Sequence, residues 1–230
     1  MTVRTGRRSG ERGLLLRGCC FALFIPMLVL VALVVLTLRA TAAPDLGADP
    51  AGPSHGSTEA LIAAALAGSA ATQLAAGEHA SVTLSERDLT VMAAAHNPSP
   101  TRFRNPQSRV RGGYLVVSAQ TSVGPLGVTG IARYSISFAD DTGVAELTAS
   151  SVDYAVGQLS LPGWVADRID PRGSSTLNLT GLFGSNPALQ TLAKNMECVA
   201  VQNDGVHVGF HRPGSTADPT TCAAVAATGA

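Results

Sequence analysis

The chain has 230 residues, 46% of them hydrophobic and 4% aromatic, and its 16 basic side chains balance its 16 acidic ones. Six of the basic residues and one of the acidic residues precede position 40, so residues 40–230 carry a net charge of minus five. This acidic balance argues against nucleic acid as a partner.

The first predicted element is a transmembrane helix over residues 19–38. These twenty positions carry no charge, and at about 1.5 Å per residue the helix spans roughly 30 Å, the thickness of a bilayer's hydrocarbon core. Residues 1–18 contain five arginines against Glu11 alone, which predicts a cytoplasmic N-terminus and an extracytoplasmic remainder at the cell membrane. The alternative is a cleaved signal peptide, because Ala40-Thr41-Ala42 has the small residues that signal peptidase prefers.

The four cysteines divide by compartment. Cys19 and Cys20 lie at the cytoplasmic edge of the predicted span, where reducing conditions argue against a disulfide. Cys198 and Cys222 are the two external cysteines, and they predict a disulfide that closes a loop of about 25 residues and stabilises by roughly 3 kcal/mol. Two unpaired thiols are the alternative.

Composition separates a linker, one domain and a tail. Residues 39–57 are rich in Pro, Gly and Ala, which is typical of a flexible linker. Residues 58–212 form one extracytoplasmic domain, long enough to bury a core. Residues 213–230 resemble the linker in composition and predict a flexible tail.

The domain begins with helices. Thr58 to Ala76 is an Ala-rich helical pattern whose small side chains let other backbone approach closely. A brief strand, Ala80 to Leu84, leads to Ser85, which can cap the next helix while Asp88 returns the bond in an approximate capping box. That helix ends before Asn97-Pro98.

Strands follow from Gln107 onward. Gly112-Gly113 predicts a tight hairpin turn, and Leu126 to Phe138 alternates as a half-buried antiparallel strand does. A turn at residues 140–143 leads to a second long strand, Val144 to Val156. Strands of this length predict a strongly curved sheet wrapped around the Ala-rich helix.

The C-terminal half adds short helices and a closing hairpin. Helices are predicted from Trp164 to Ile169 and from Ala188 to Asn195, and Glu197 to Arg212 forms a hairpin about Asn203-Asp204-Gly205. The whole order predicts an α+β fold with a long antiparallel sheet.

A series of short motifs carries a resemblance to known families. In chain order they are the N-terminal anchor, Val82-Thr83-Leu84-Ser85 with Leu89 opening a helix, Gly124-Pro125-Leu126-Gly127 leading a strand, Gly157-Gln158-Leu159-Ser160-Leu161-Pro162, and Asn203-Asp204-Gly205. Over residues 80–212 this succession resembles the YpmS-like family of single-pass membrane proteins and is similar to LmeA-like envelope proteins. The resemblance implies an extracytoplasmic domain akin to tubular lipid-binding folds, with an apolar groove and no catalytic residue.

Two binding sites follow as hypotheses. The groove would be lined by side chains of the long strand, the first helix and the short helix, namely Tyr134, Ile136, Phe138, Leu66 and Trp164. Four arginines would contact an anionic lipid headgroup or envelope polymer, namely Arg102, Arg104, Arg109 and Arg111. The alternatives are a core position for Trp164 and a solvated hairpin edge for the arginines.

The short motifs that resemble catalytic or metal-binding sites lie in positions where that chemistry is not expected. Gly52-Pro53-Ser54-His55-Gly56 matches the G-x-S-x-G pattern but lies in the predicted linker rather than on a strand-to-helix turn. Asp141-Thr142-Gly143 is explained by a hairpin turn. His207 and His211, four apart on a strand, are about 13 Å from each other. We therefore expect no enzyme, no cofactor and no metal.

The sequence predicts a single-pass membrane protein whose external domain binds a lipid or another apolar envelope ligand. The alternative is a non-enzymatic structural or interaction protein with a filled core, which recruits an envelope protein partner.

Overall fold

A computed structural model describes residues 11–97, 99–139, 146–169, 177–178 and 192–223. The turn predicted at 140–143 and most of the helix predicted from Ala188 lie outside the described residues. The helices are α1 (Glu11–Thr41), α2 (Glu59–Ala76), α3 (Glu86–Ala95) and α4 (Gly163–Ile169). The strands are β1 (His79–Ser85), β2 (Arg104–Arg111), β3 (Tyr114–Val123), β4 (Leu126–Ala139), β5 (Glu146–Val156), β6 (Leu159–Ser160), β7 (Leu177–Asn178), β8 (Met196–Gln202) and β9 (Gly205–His211).

Helix α2 packs on a three-stranded antiparallel sheet in the order β1-β9-β8. Thr58 caps its first turn, and Ile62, Leu66 and Ala70, spaced one turn apart, form its buried stripe. They meet alternate residues of β1 and β9, namely Ala80, Val82, Leu84, Val206, Val208 and Phe210. This contact forms the main hydrophobic core.

Among the described residues, Glu59–Ala76 is the one helix long and apolar enough to cross a membrane by length and composition. Its apolar character comes largely from alanine, and its buried stripe packs on the three-stranded sheet. In α1, the described side chains from Pro26 to Thr41 form a shorter apolar stretch whose large side chains, such as Met27 and Leu38, are exposed.

The long strands form a second antiparallel sheet, ordered β2-β3-β4-β5-β6, with β7 paired to β5. The predicted α+β class and the antiparallel meander are confirmed. The prediction of a strongly curved sheet around the Ala-rich helix is wrong. Because β1 and the closing hairpin form a separate sheet whose apolar face receives α2, the described parts of the long strands do not enclose that helix.

The C-terminal segment is tied to the three-stranded sheet. The predicted disulfide is confirmed, with the Cα atoms of Cys198 and Cys222 6.0 Å apart. The sulfurs lie over Gly209, where a Cβ would be 3.2 Å from the Cys222 Sγ. The buried Glu197 carboxylate accepts hydrogen bonds from the Asp218 backbone N–H and the His79 ring. The described part of the predicted flexible tail, 213–223, is thus held against the domain.

Candidate functional site at the α1 junction

The segment predicted as a flexible linker lies against the domain. We call residues 45–56 the strap. Two arginines of strand β2 donate to its backbone: Arg109 Nε to the Ala48 carbonyl at 3.2 Å, and Arg111 Nε to the Leu46 carbonyl at 3.1 Å. Arg111 Nη2 donates to Ala48 as well, at 3.0 Å. Carbonyl oxygens of the strap therefore occupy guanidinium donors.

The buried Glu86 carboxylate joins the strap, helix α3 and strand β2. One oxygen accepts the Val110 N–H and Arg111 Nη1, both at 2.6 Å, and the other accepts the Ala51 N–H at 2.7 Å. The Val110 amide faces outward from edge strand β2, so Glu86 satisfies a donor that would otherwise be open to another strand. Two residues before Val110 on the same edge, the Ser108 N–H donates to the Thr90 hydroxyl of α3 at 3.0 Å.

Asp88, also fully buried, anchors the end of the strap. The predicted capping box is confirmed: Ser85 and Asp88 exchange backbone-to-side-chain hydrogen bonds. The same carboxylate accepts the His55 backbone N–H at 2.6 Å and lies 2.7 Å from the His55 ring Nδ1. Ser85 Oγ donates to the Pro53 carbonyl at 2.8 Å. The G-x-S-x-G sequence thus docks the strap on the start of α3.

Asp88 gives the strap a pH dependence. Burial raises the pKa of its carboxyl, but hydrogen bonds from Ser85 and from the backbone and ring of His55 outweigh burial, so the pKa lies below its ordinary value of 3.8. A carboxyl with a folded pKa below its unfolded pKa stabilises the protein above the unfolded value, and this stabilisation is lost as the pH falls through the folded value.

We therefore expect acid to loosen the strap. In urea titrations the free energy of unfolding should fall as the pH drops below about 4, and Asp88→Asn should reduce that slope. The exposed Asp153, paired with Arg133, provides the matched control, Asp153→Asn. An equal slope in Asp88→Asn and in the wild-type chain would contradict the assignment.

Helix α1 ends at the turn between β5 and β6, a few residues before the strap begins. The Gln158 N–H donates to the Arg39 carbonyl at 2.9 Å, and the Gly157 N–H donates to the Thr129 carbonyl of β4 at 2.7 Å. Gly157 has a φ of +57°, and a Cβ there would lie 2.6 Å from the Arg39 carbonyl oxygen and closer still to that of Ala40. Position 157 therefore requires glycine for two reasons: its left-handed backbone conformation and the close approach of α1.

One face of the long sheet is apolar and half-buried. We define the apolar face by side chains that the strand registers place together on β3, β4 and β5: Leu115, Val117, Ala119, Ala132, Tyr134, Tyr154 and Val156. The opposite face carries the exposed Arg133–Asp153 ion pair on β4 and β5, and the buried Val116 and Ser118 on β3. Within the described part of the chain, β3 contacts mainly β2 and β4, while β4 contacts β3, β5, α1 and β8.

The structure brings three of the five predicted groove residues together at the main core and leaves Trp164 apart from it. Leu66 is buried in the main core, and Ile136 and Phe138 pack against that core from the long sheet. Tyr134 precedes them on the same face of β4. The Trp164 side chain is 66% exposed on α4, which excludes the core alternative.

The space beside Leu66 is too small for a lipid. Its cavity of about 20 Å³ holds roughly one water molecule. It is lined by eight apolar residues of α2, the three-stranded sheet and residues 192–193.

The four arginines separate into two pairs. Arg109 and Arg111 are engaged by the strap and Glu86, and Arg109 is buried. Arg102 and Arg104 are exposed, and the Arg102 guanidinium lies 5.5 Å from the centre of the Phe103 ring. Only the second pair keeps the exposure that contact with an anionic headgroup requires.

Among the residues that the structure describes, no group of three or more His, Cys, Asp or Glu side chains is placed to hold a metal ion.

Sequence reasoning did not identify Glu86 as the residue that joins the strap, helix α3 and strand β2. The available signal was an acidic first turn of α3 in a chain whose next strand carries two arginines in alternation.

Comparison of the chain with protein-family models, characterised proteins and solved structures found no match. The resemblance to the YpmS-like and LmeA-like families therefore stays a prediction.

Proposed function

We propose that α1 anchors the chain in the cell membrane and that the following domain, outside the cytoplasm, binds a lipid or another apolar envelope ligand on the apolar face of the long sheet. The observation that carries this proposal is the position of that face. It extends from Val156 and Gly130, beside the end of α1, to Ile136 and Phe138 at the main core.

The apolar face has the chemistry that an acyl chain needs. Strands β3 and β4 are each paired on both sides, so their backbone donors and acceptors are used within the sheet and the ligand meets side chains. Each methylene that leaves water contributes about 0.8 kcal/mol. A half-buried surface leaves that contribution available, whereas a filled core does not.

The proposed placement also accounts for the disulfide. The described cysteine pair is oxidised, as is usual in extracytoplasmic proteins. The exposed Arg102 and Arg104 supply positive charge for an anionic headgroup.

The alternative is a non-enzymatic structural or interaction domain that recruits an envelope protein. The observation favouring it is the strap, which joins α1 to the domain through buried carboxylates instead of a free linker. Such a connection holds the domain in one position relative to the membrane, which suits display to a protein partner.

The deciding experiment is native mass spectrometry of the full chain released from detergent micelles. We expect co-purified lipid, and we expect Ala132→Trp to abolish it by filling the centre of the apolar face. Ile131→Trp is the matched control, because Ile131 is adjacent in sequence but lies on the opposite face of β4.

Wild-type chain without bound lipid would refute the ligand proposal and favour the structural alternative, as would equal lipid content in both variants. Circular dichroism of each variant would establish that it is folded. A loss of structure in Ala132→Trp alone would show that the face is packed against other parts of the chain.

A further inference from the structure

We infer that the tip of the β3–β4 hairpin, Val123-Gly124-Pro125-Leu126, inserts into the outer headgroup region of the membrane that holds α1. The inference rests on the proposed membrane placement of α1 and adds a second, peripheral contact between the domain and the lipid surface. We call these four residues the hairpin tip.

The hairpin tip belongs to the end of the long sheet that meets α1. Gly157, which lies against the last carbonyls of α1, donates to the Thr129 carbonyl at 2.7 Å, and β4 contacts α1. Leu126 precedes Thr129 by three residues, which extends the strand by roughly 10 Å past this contact. The two headgroup layers of a bilayer together measure roughly 10–15 Å, so one layer is about 5–8 Å deep, and this reach is long enough to cross it.

The composition of the hairpin fits a lipid surface. The stretch 112–132 contains no Asp, Glu, Lys, Arg or His, so its insertion desolvates no charge. The side chains of Val123 and Leu126 are 64% and 43% exposed. Large apolar side chains placed together at a two-residue turn are typical of a contact site rather than of a solvated loop.

The backbone of the hairpin tip limits how deeply the tip can enter the bilayer. Val123 and Leu126 are paired across the turn, and Pro125 has no N–H to desolvate. The remaining turn carbonyls need water or headgroup donors, because unpaired backbone groups are costly in hydrocarbon. The tip therefore belongs at the interface and not in the bilayer core.

This contact gives the apolar face an entry path. Val123, Leu126 and Val128 continue the same side of β3 and β4 that carries the apolar face. A lipid leaving the membrane at the tip would meet mainly apolar side chains on this side of the sheet, with Thr121, opposite the buried Val128, as a polar exception.

Fluorescence quenching in nanodiscs tests the contact on the full chain. Trp164 is the only tryptophan, so Trp164→Phe gives a background for Val123→Trp. The nanodiscs would contain phosphatidylethanolamine and phosphatidylglycerol, with acyl chains brominated near the headgroup. We expect the emission of Val123→Trp to lose most of its intensity against unbrominated nanodiscs.

Tyr114→Trp in the same background is the matched control. It lies at the opposite end of β3, about 30 Å away, and its emission should be unchanged. Equal quenching at both positions, or none at position 123 in a chain that enters nanodiscs, would refute tip insertion while leaving the anchor intact. A chain that does not enter nanodiscs would refute the anchor and this inference together. Lipid binding on the apolar face is read separately by mass spectrometry.

Discussion

Replacing Glu86 by alanine should lower the free energy of unfolding by about 3 kcal/mol. The substitution removes the acceptor of the Val110 and Ala51 amides and the ion-pair partner of Arg111. Each amide that loses its partner away from water costs about 1–3 kcal/mol. Arg111 is partly exposed, so solvent screening reduces the stability that is lost with its ion pair. Urea titration of the full chain in detergent, followed by circular dichroism, measures the change.

The control for this prediction is Glu59→Ala. Glu59 also lies in the first turn of a helix and contacts a histidine, His96, at 2.8 Å, but both side chains are exposed. Exposed pairs contribute about 0–1 kcal/mol. A cost for Glu86→Ala no larger than that of Glu59→Ala would show that the strap does not depend on the buried carboxylate.

Hydrogen exchange gives Glu86→Ala a second readout. Loss of the carboxylate should speed exchange at Ala51 in the strap and at Val110 on the edge of β2. Exchange at Val208 in the main core should not change unless the whole domain unfolds. This pattern separates release of the strap from general destabilisation.

Local patterns in the sequence predicted much of the fold. The alternating pattern from Leu126 to Phe138 predicted strand β4. The Gly112-Gly113 turn connects β2 and β3 as predicted, and Ser85 and Asp88 form the predicted capping box. Each of these signals acts within a few residues, where propensity and backbone geometry decide the structure. The disulfide was predicted from two cysteines that the sequence places in the same oxidising compartment.

The strap could not be read from composition. Its Pro and Gly residues are as compatible with a fixed extended path as with a flexible linker. The difference depends on partners that lie 33 to 65 positions away, such as Asp88 for His55 and Arg111 for Leu46. Polar contacts of that range leave no periodic signal in the sequence.

The partner of α2 was also beyond local reasoning. The stripe of Ile62, Leu66 and Ala70 predicts that one face is buried, but it does not say which sheet covers that face. The answer depends on the pairing of β1 with β9, residues more than a hundred positions apart. The predicted groove residues are therefore divided among the main core, the apolar face and, for Trp164, the exposed surface of α4.

The close approach of α1 to the sheet leads to a prediction for Gly157. Gly157→Ala should separate the end of α1 from the β5–β6 turn, because a Cβ would overlap the backbone carbonyls of Arg39 and Ala40, which cannot rotate away as a side chain can. Alanine also pays about 1–2 kcal/mol for the left-handed conformation at φ +57°.

Gly124→Ala isolates the backbone cost from the overlap. Gly124 has nearly the same conformation, φ +60°, but a Cβ there would meet nothing within 4 Å. Hydrogen exchange at the Gln158 amide, which donates to Arg39, should become faster in Gly157→Ala and stay slow in Gly124→Ala. If both variants behave alike, the approach of α1 contributes nothing beyond the turn. If only Gly157→Ala releases Gln158, this glycine couples α1 to the sheet that carries the apolar face.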